Sequence, residues 1–124
     1  MIEMRAAHYP GRAPIEAYGN GGFRFAQMSH RGSLLCLPSG IYGWDGPVVI
    51  DAPSLARVFA EAERIEILIL GTGRDLVPVA KPLRAQLREA RIVPEPMSTG
   101  AAVRTFNLLL AEDRAVAAAL LAVD

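Results

Sequence analysis

The 124-residue chain balances thirteen basic against thirteen acidic side chains, for a formal net charge of zero, and carries one cysteine and two histidines. A neutral chain sets up no long-range field to attract a polyanion or an anionic membrane, which argues against nucleic acid as the partner. One cysteine excludes an internal disulfide, and with only His8 and His30 beside it neither a metal site nor a redox or other cofactor is expected. A hydrophobic fraction of 52% against 21% charged residues is that of a folded domain, and the length suits one core.

Residues 1–14 contain Pro10, Gly11 and Pro14 and show no period, so a loosely held arm is expected before a single domain over residues 15–124. The amino end has no apolar core of signal-peptide length, and no run approaches the roughly 20 apolar residues that span a bilayer. A cytoplasmic product is expected, or a matrix-like one if imported. Ile15 to Tyr18 and Phe23 to Met28 alternate as strands do, and Gly19-Asn20-Gly21-Gly22 between them predicts a hairpin. A second turn is expected at Ser29-His30-Arg31-Gly32. It leads into Ser33 to Leu37, and Pro38-Ser39-Gly40 then turns the chain into Ile41 to Trp44, completing an antiparallel meander. Cys36 lies in the apolar run of that meander and reads as a small buried hydrophobe. Trp44 reads either as a cap on the core or as an exposed binding anchor.

Beyond Trp44 the period changes. Leu55, Val58, Phe59 and Ala62 fall at helical spacing, with Ser54 placed to cap the first turn. Ile65 to Leu70 is a β-branched run of the kind that fills a central strand, ended by Gly71-Thr72-Gly73. Leu83, Leu87 and Ala90 predict a helix, Ile92-Val93 a short strand, and Thr99 to Asp113 a further helix burying Ala102, Phe106, Leu109 and Leu110. Ala115 to Leu121 is compatible with helix by its alanines but reads as a strand, because its apolarity is continuous after the Glu112-Asp113-Arg114 turn. Strands joined through helices imply crossovers. The expected fold is a three-layer α/β domain with a mostly parallel mixed sheet, flanking helices and an N-terminal antiparallel β-meander.

Four groups of residues invite a functional reading. If Ile65 to Leu70 and Ile92-Val93 are parallel neighbours, then Gly71, Thr72, Gly73, Arg74, Glu95, Ser98 and Thr99 leave the sheet at its carboxyl edge, where open α/β sheets bind ligands. Their amides would make an anion pocket; the structural alternative is a sharp turn and a helix cap. Neither a dinucleotide fingerprint nor a phosphate-binding Gly-Lys-Ser/Thr loop is present. Lys81, Arg84, Arg88 and Arg91 form one stripe at helical spacing, either a solvated face or a dock for an acidic protein or phosphate-bearing surface. Asn107 sits beside an apolar stripe in mid-helix, where a polar side chain needs a partner, most simply the backbone of an adjacent loop. With His8 and His30 far apart, no Ser/His/Asp relay is encoded. Twelve of the thirteen basic residues are Arg and twenty residues are Ala, a pattern more like GC-rich coding than selection for phosphate binding.

Three stretches, GGFRFAQMSHRGSLLCLPSGIYGW (21–44), ILILGTG (67–73) and EPMSTGAAVRTFNLLLAEDRAVAAALL (95–121), together resemble domain-of-unknown-function family 498. The resemblance implies a three-layer α/β domain, no established catalytic activity, and for some members an association with respiratory-complex assembly. Ser98 stands where relatives often have an acid, and Phe106 where they often have Tyr. The leading expectation is a non-enzymatic interaction or assembly factor with a protein partner. The second is a small-ligand-binding domain or enzyme using the carboxyl-edge crevice.

Overall fold

Residues 8–124 are described by a computed structural model. Strand β1 (His8–Tyr9) opens it, followed by β2 (Ile15–Gly19), β3 (Gly22–Phe25) and β4 (Met28–Arg31). Between β2 and β3, Asn20 and Gly21 take φ of 53° and 79°, the mirror-image turn whose twist matches that of paired strands. The next turn lies earlier than the sequence suggests. Phe23 to Met28 is not one strand: Ala26 and Gln27 turn at φ of 47° and 64°, and Met28 to Arg31, with His30, returns as β4. Nothing in Ala-Gln announces a left-handed turn, which L-residues disfavour. Gly32, at φ 101°, does bend the chain into the next strand.

That strand is β5 (Ser33–Leu37), paired antiparallel with β6 (Gly40–Trp44), whose far edge carries β1. Residues 8–14, expected to belong to a loosely held arm, are joined to the domain at several points. Besides the β1 pairing, the Arg12 guanidinium donates to the Arg114 carbonyl (2.6 Å) and Ala13 is buried. The remainder of the expected arm, 1–7, lies outside the described residues.

The helix expected around Leu55 to Ala62 is broken into a 3₁₀ turn (Pro53–Leu55), helix α1 (Ala56–Ala60) and a second 3₁₀ turn (Ala62–Arg64). Ser54 is not its simple cap: Asp51 and Ser54 bond reciprocally, each backbone amide donating to the other's side-chain oxygen (3.0 and 3.1 Å). Then follow β7 (Ile67–Gly71), α2 (Lys81–Glu89), β8 (Val93–Met97), α3 (Thr99–Ala111) and β9 (Val116–Leu120).

The main sheet has the order β1-β6-β5-β9-β7-β8, while β2-β3-β4 form a separate antiparallel sheet. The crossover half is parallel, β7 pairing with both β8 and β9, and the meander extends it antiparallel through β5, β6 and β1. Parallel pairing is therefore confined to β9-β7-β8 within a mixed sheet. On one face Leu34, Cys36, Ile69, Ala118 and Leu120 pack against α3 and the three-stranded sheet, through Phe106, Phe23 and Phe25. On the other, Leu35, Leu68, Leu70 and Ala117 lie beneath Leu55, Val58, Leu83 and Leu87 of the α1 and α2 regions. Three layers result, and β9, buried throughout, is central.

Strand β8 extends beyond the expected Ile92-Val93 through two prolines, which a central strand would not accept. It lies at the sheet edge. The Val93 amide donates to the Glu66 carbonyl and the Met97 carbonyl accepts from the Thr72 amide, both at 2.9 Å. By the alternation of a strand, Val93, Glu95 and Met97 turn their backbone groups toward β7, and Pro94 and Pro96 turn theirs outward. No ladder bond is lost to the missing amides.

Candidate functional site

The ends of β7, β9 and β8 and the start of α3 meet at the carboxyl edge. Gly71 sits in tight space there: a Cβ would lie 3.0 Å from Leu120 Cδ2 and 3.2 Å from both Ala102 Cβ and Thr99 Cα. Gly73 is needed for conformation, at φ 105°. Thr99 is fully buried, and its hydroxyl accepts from the Gly73 amide (3.0 Å) and donates to the Leu121 carbonyl (2.7 Å). The Thr99 amide returns a bond to the Gly73 carbonyl (2.8 Å). The Thr72 hydroxyl accepts from the Val77 amide (2.9 Å) and has two acceptors for its one hydrogen, the Asp75 carbonyl (2.6 Å) and the Met97 carbonyl (3.1 Å). Ser98 caps α3, accepting from the Ala101 amide (3.4 Å).

Of the seven residues expected at this edge, Gly71, Thr72, Gly73, Ser98 and Thr99 are brought together. Arg74 is exposed on the loop beyond them. Glu95 is not at the edge but within β8, exposed, because β8 continues to Met97. The amides on which an anion pocket would draw, those of Thr72, Gly73 and Thr99, already have acceptors inside the protein.

On the α2 side of this edge lies a cavity of about 130 Å³, lined by Ile50, Leu70, Val77, Val79, Leu83 and Leu121, among others. Val48, Val49, Leu76 and Val77 stand exposed around it. Its sequence signal is the pair of apolar stretches in the Pro47–Ile50 and Leu76–Val79 loops.

Arg84, Arg88 and Arg91 line an open groove of about 570 Å³ between α2 and β8, with Pro94 and Pro96 opposite. Lys81, the fourth member of the expected stripe, does not line it. Arg84 is half-buried and the other two are exposed, Arg91 lying just past the helix at φ 64°. The ion pairs and ring contact among the described residues engage Arg12, Arg24, Arg57, Arg64 and Arg114, and none involves these three.

Asn107 bonds the backbone of Ile15 at both ends of its amide, 2.8 Å each. The Trp44 indole donates to the Ser54 carbonyl (2.8 Å) while its ring packs against the α1/α2 core. His30 has its pKa lowered by burial, against the opposing pull of its contact with the Ser33 carbonyl (3.2 Å). Burial pushes the Cys36 thiol up to about 12, so it stays protonated. The backbone of His8 lies in β1. Among the described residues no group of three or more His, Cys, Asp or Glu side chains is placed to hold a metal ion. A polar cluster absent from the sequence reading ties the β5–β6 turn to the end of α1. Ser39 donates to the Glu61 carboxylate through its amide (3.0 Å) and its hydroxyl (2.5 Å), and Tyr42 meets the Ser39 oxygen (2.6 Å).

The family model described as "Protein of unknown function (DUF498/DUF598)" matches residues 15–121. The chain belongs to this family. An uncharacterised relative from Rhodobacter capsulatus is 38% identical over 117 residues, covering 94% of this DUF498/DUF598 chain and 90% of the relative. The NADH dehydrogenase [ubiquinone] 1 alpha subcomplex assembly factor 3 of Xenopus tropicalis is 31% identical over 109 residues, 86% of this chain; the match spans 60% of that protein's length. A solved structure from Bartonella henselae, described as an outer membrane protein, shares 61% identity at a TM-score of 0.91, covering 94% of this chain and 99% of that one. Among the described residues no helix of this DUF498/DUF598 domain is long and apolar enough to cross a membrane.

Proposed function

We propose that this DUF498/DUF598 domain is an assembly factor that works by binding a protein partner, with the groove between α2 and β8 as its docking surface. The observation that carries the reading is the convergence of Arg84, Arg88 and Arg91 on one groove, none of them in an ion pair among the described residues. Like charges held together on a fixed surface are relieved by an external anion, and a guanidinium fork matches a carboxylate. The likeness to an assembly factor of NADH dehydrogenase supports the same reading, and a subunit or intermediate of a respiratory or other membrane complex is the partner we infer. The carboxyl-edge crevice is the weaker site for a small ligand, since its amides are spent on Met97, Gly73 and Thr99.

The experiment is affinity capture of the native protein from its own cells, comparing wild type with Arg84→Glu/Arg88→Glu over a salt series. The expected result is loss of a defined partner from the double variant at unchanged melting temperature, and release of that partner from wild type as salt rises. Identical partners with identical salt dependence would mean that this face is only solvated.

A further inference from the structure

We infer that the groove between α2 and β8 takes an acidic helical segment of a partner protein, held by side-chain carboxylates and not by strand addition. The inference rests on the docking reading above and specifies its occupant. Among the described residues β8 is the open edge of a six-stranded sheet, and such an edge ordinarily recruits an extended peptide through alternating donors and acceptors. Here the outward positions are Pro94 and Pro96. They offer two carbonyls and no amide, so an added strand would find partners for its N–H groups and none for its carbonyls. A helical segment has already bonded its own backbone and loses nothing at such an edge.

The cationic wall specifies the rest. Arg84 and Arg88 stand one turn apart on α2, and Arg91 lies just past its end. Carboxylates at i and i+4 of a partner helix repeat the spacing of the first two, and one at i+7 continues the same face. The opposite wall is of the other character, for the outward carbonyls of Pro94 and Pro96 are acceptors only. A matching helix therefore presents acids toward α2 and donors, such as Lys, Asn or Gln, toward β8. A uniformly anionic surface, whether phosphate-rich or an acidic membrane, brings no donors to that second wall.

The test titrates the isotope-labelled full chain, followed by NMR, with three probes. One is a capped Ala/Glu/Lys peptide of about 16 residues, long enough to be helical, with Glu at i, i+4 and i+7. The second has the same charge on an alternating Thr/Glu extended sequence, and the third is anionic lipid vesicles, with inorganic phosphate run alongside. The expected result is that the helical peptide perturbs residues 84–96, and that Arg84→Glu/Arg88→Glu, still folded by its spectrum, weakens it by about tenfold or more. Pro94→Thr/Pro96→Thr, which restores outward amides, is expected to gain affinity for the extended peptide that wild type lacks. Equal or tighter binding of the extended peptide to wild type overturns the inference, as does a groove occupied by vesicles or phosphate but not by the helical peptide. No perturbation of residues 84–96 by the helical peptide overturns it too. If those outcomes accompany a native partner that still depends on Arg84 and Arg88, the helical occupant is wrong and the docking reading stands; a native partner indifferent to both residues removes the docking reading itself.

Discussion

Asn107 of α3 holds the backbone of Ile15 in β2 by both its groups, its amide donating to the Ile15 carbonyl and its oxygen accepting from the Ile15 amide, each at 2.8 Å. One side chain thus replaces a strand neighbour and joins the three-stranded sheet to the helix over it. Asn107→Leu leaves two part-buried backbone groups without partners and should lower stability by about 1–3 kcal/mol. Urea unfolding monitored by circular dichroism measures this. An unchanged midpoint together with loss of partner capture would move Asn107 from the framework to the functional surface.

Thr99 does the same for the carboxyl edge. Its hydroxyl links the Gly73 amide to the Leu121 carbonyl, so it joins the end of β7 to the end of β9 from a fully buried position. Thr99→Val keeps the shape and removes both bonds, and a loss of about 1–3 kcal/mol is expected. Thr99→Ser restores the hydroxyl and should recover most of it. Hydrogen exchange at Gly73 reads the local effect: it should quicken in the Val variant and not in the Ser variant.

The Cys36 thiol, raised by burial from an ordinary 9.0 to about 12, should not react with a disulfide reagent in the native protein at pH 8, and should react once denaturant is added. The same shift has a stability consequence. The folded state keeps this proton where the unfolded state has lost it, so the contribution is complete below pH 9.0 and declines as pH rises toward 12. Cys36→Ala should flatten the alkaline limb of stability against pH relative to wild type; parallel limbs would refute the assignment.

Ala26 and Gln27 both adopt left-handed backbone at the β3–β4 turn. Such a conformation costs an L-residue roughly 1–2 kcal/mol, less for Asn and least for Gly. Ala26→Asn/Gln27→Gly should therefore raise the unfolding free energy by about 1 kcal/mol with no change in the spectrum of residues outside β3 and β4. A destabilised double variant would show that the two native side chains contribute more by packing than they cost by strain.

Helical periodicity made two of the helices legible and continuous apolarity the central strands, although Ala115 to Leu121 was also compatible with helix. Ile67 to Gly71, Lys81 to Glu89, Thr99 to Ala111 and Val116 to Leu120 all lie where these signals put them, because burial on one face writes a period into the residue order and burial on both faces writes a continuous apolar run. The polar demand of Asn107 was legible for a similar reason: a mid-helix amide beside an apolar stripe has to be satisfied somewhere. What the sequence could not express was position relative to other strands. A proline is a breaker in any strand read alone, and Pro94 and Pro96 became acceptable only because the sheet order made β8 an edge and its alternation turned them outward. Glu95 was displaced from the carboxyl edge by the same extension. The β3–β4 turn was hidden because Ala and Gln carry no turn signal, and pairing of Phe25 with Met28 in the assembled sheet decides it. At the carboxyl edge the residue order named the donors, while only the tertiary structure decided whether they were free, since Gly73 and Thr99, 26 residues apart, satisfy each other. Hydrogen-bonding capacity is a local property of a residue; whether it is spent depends on what the fold brings within 3 Å.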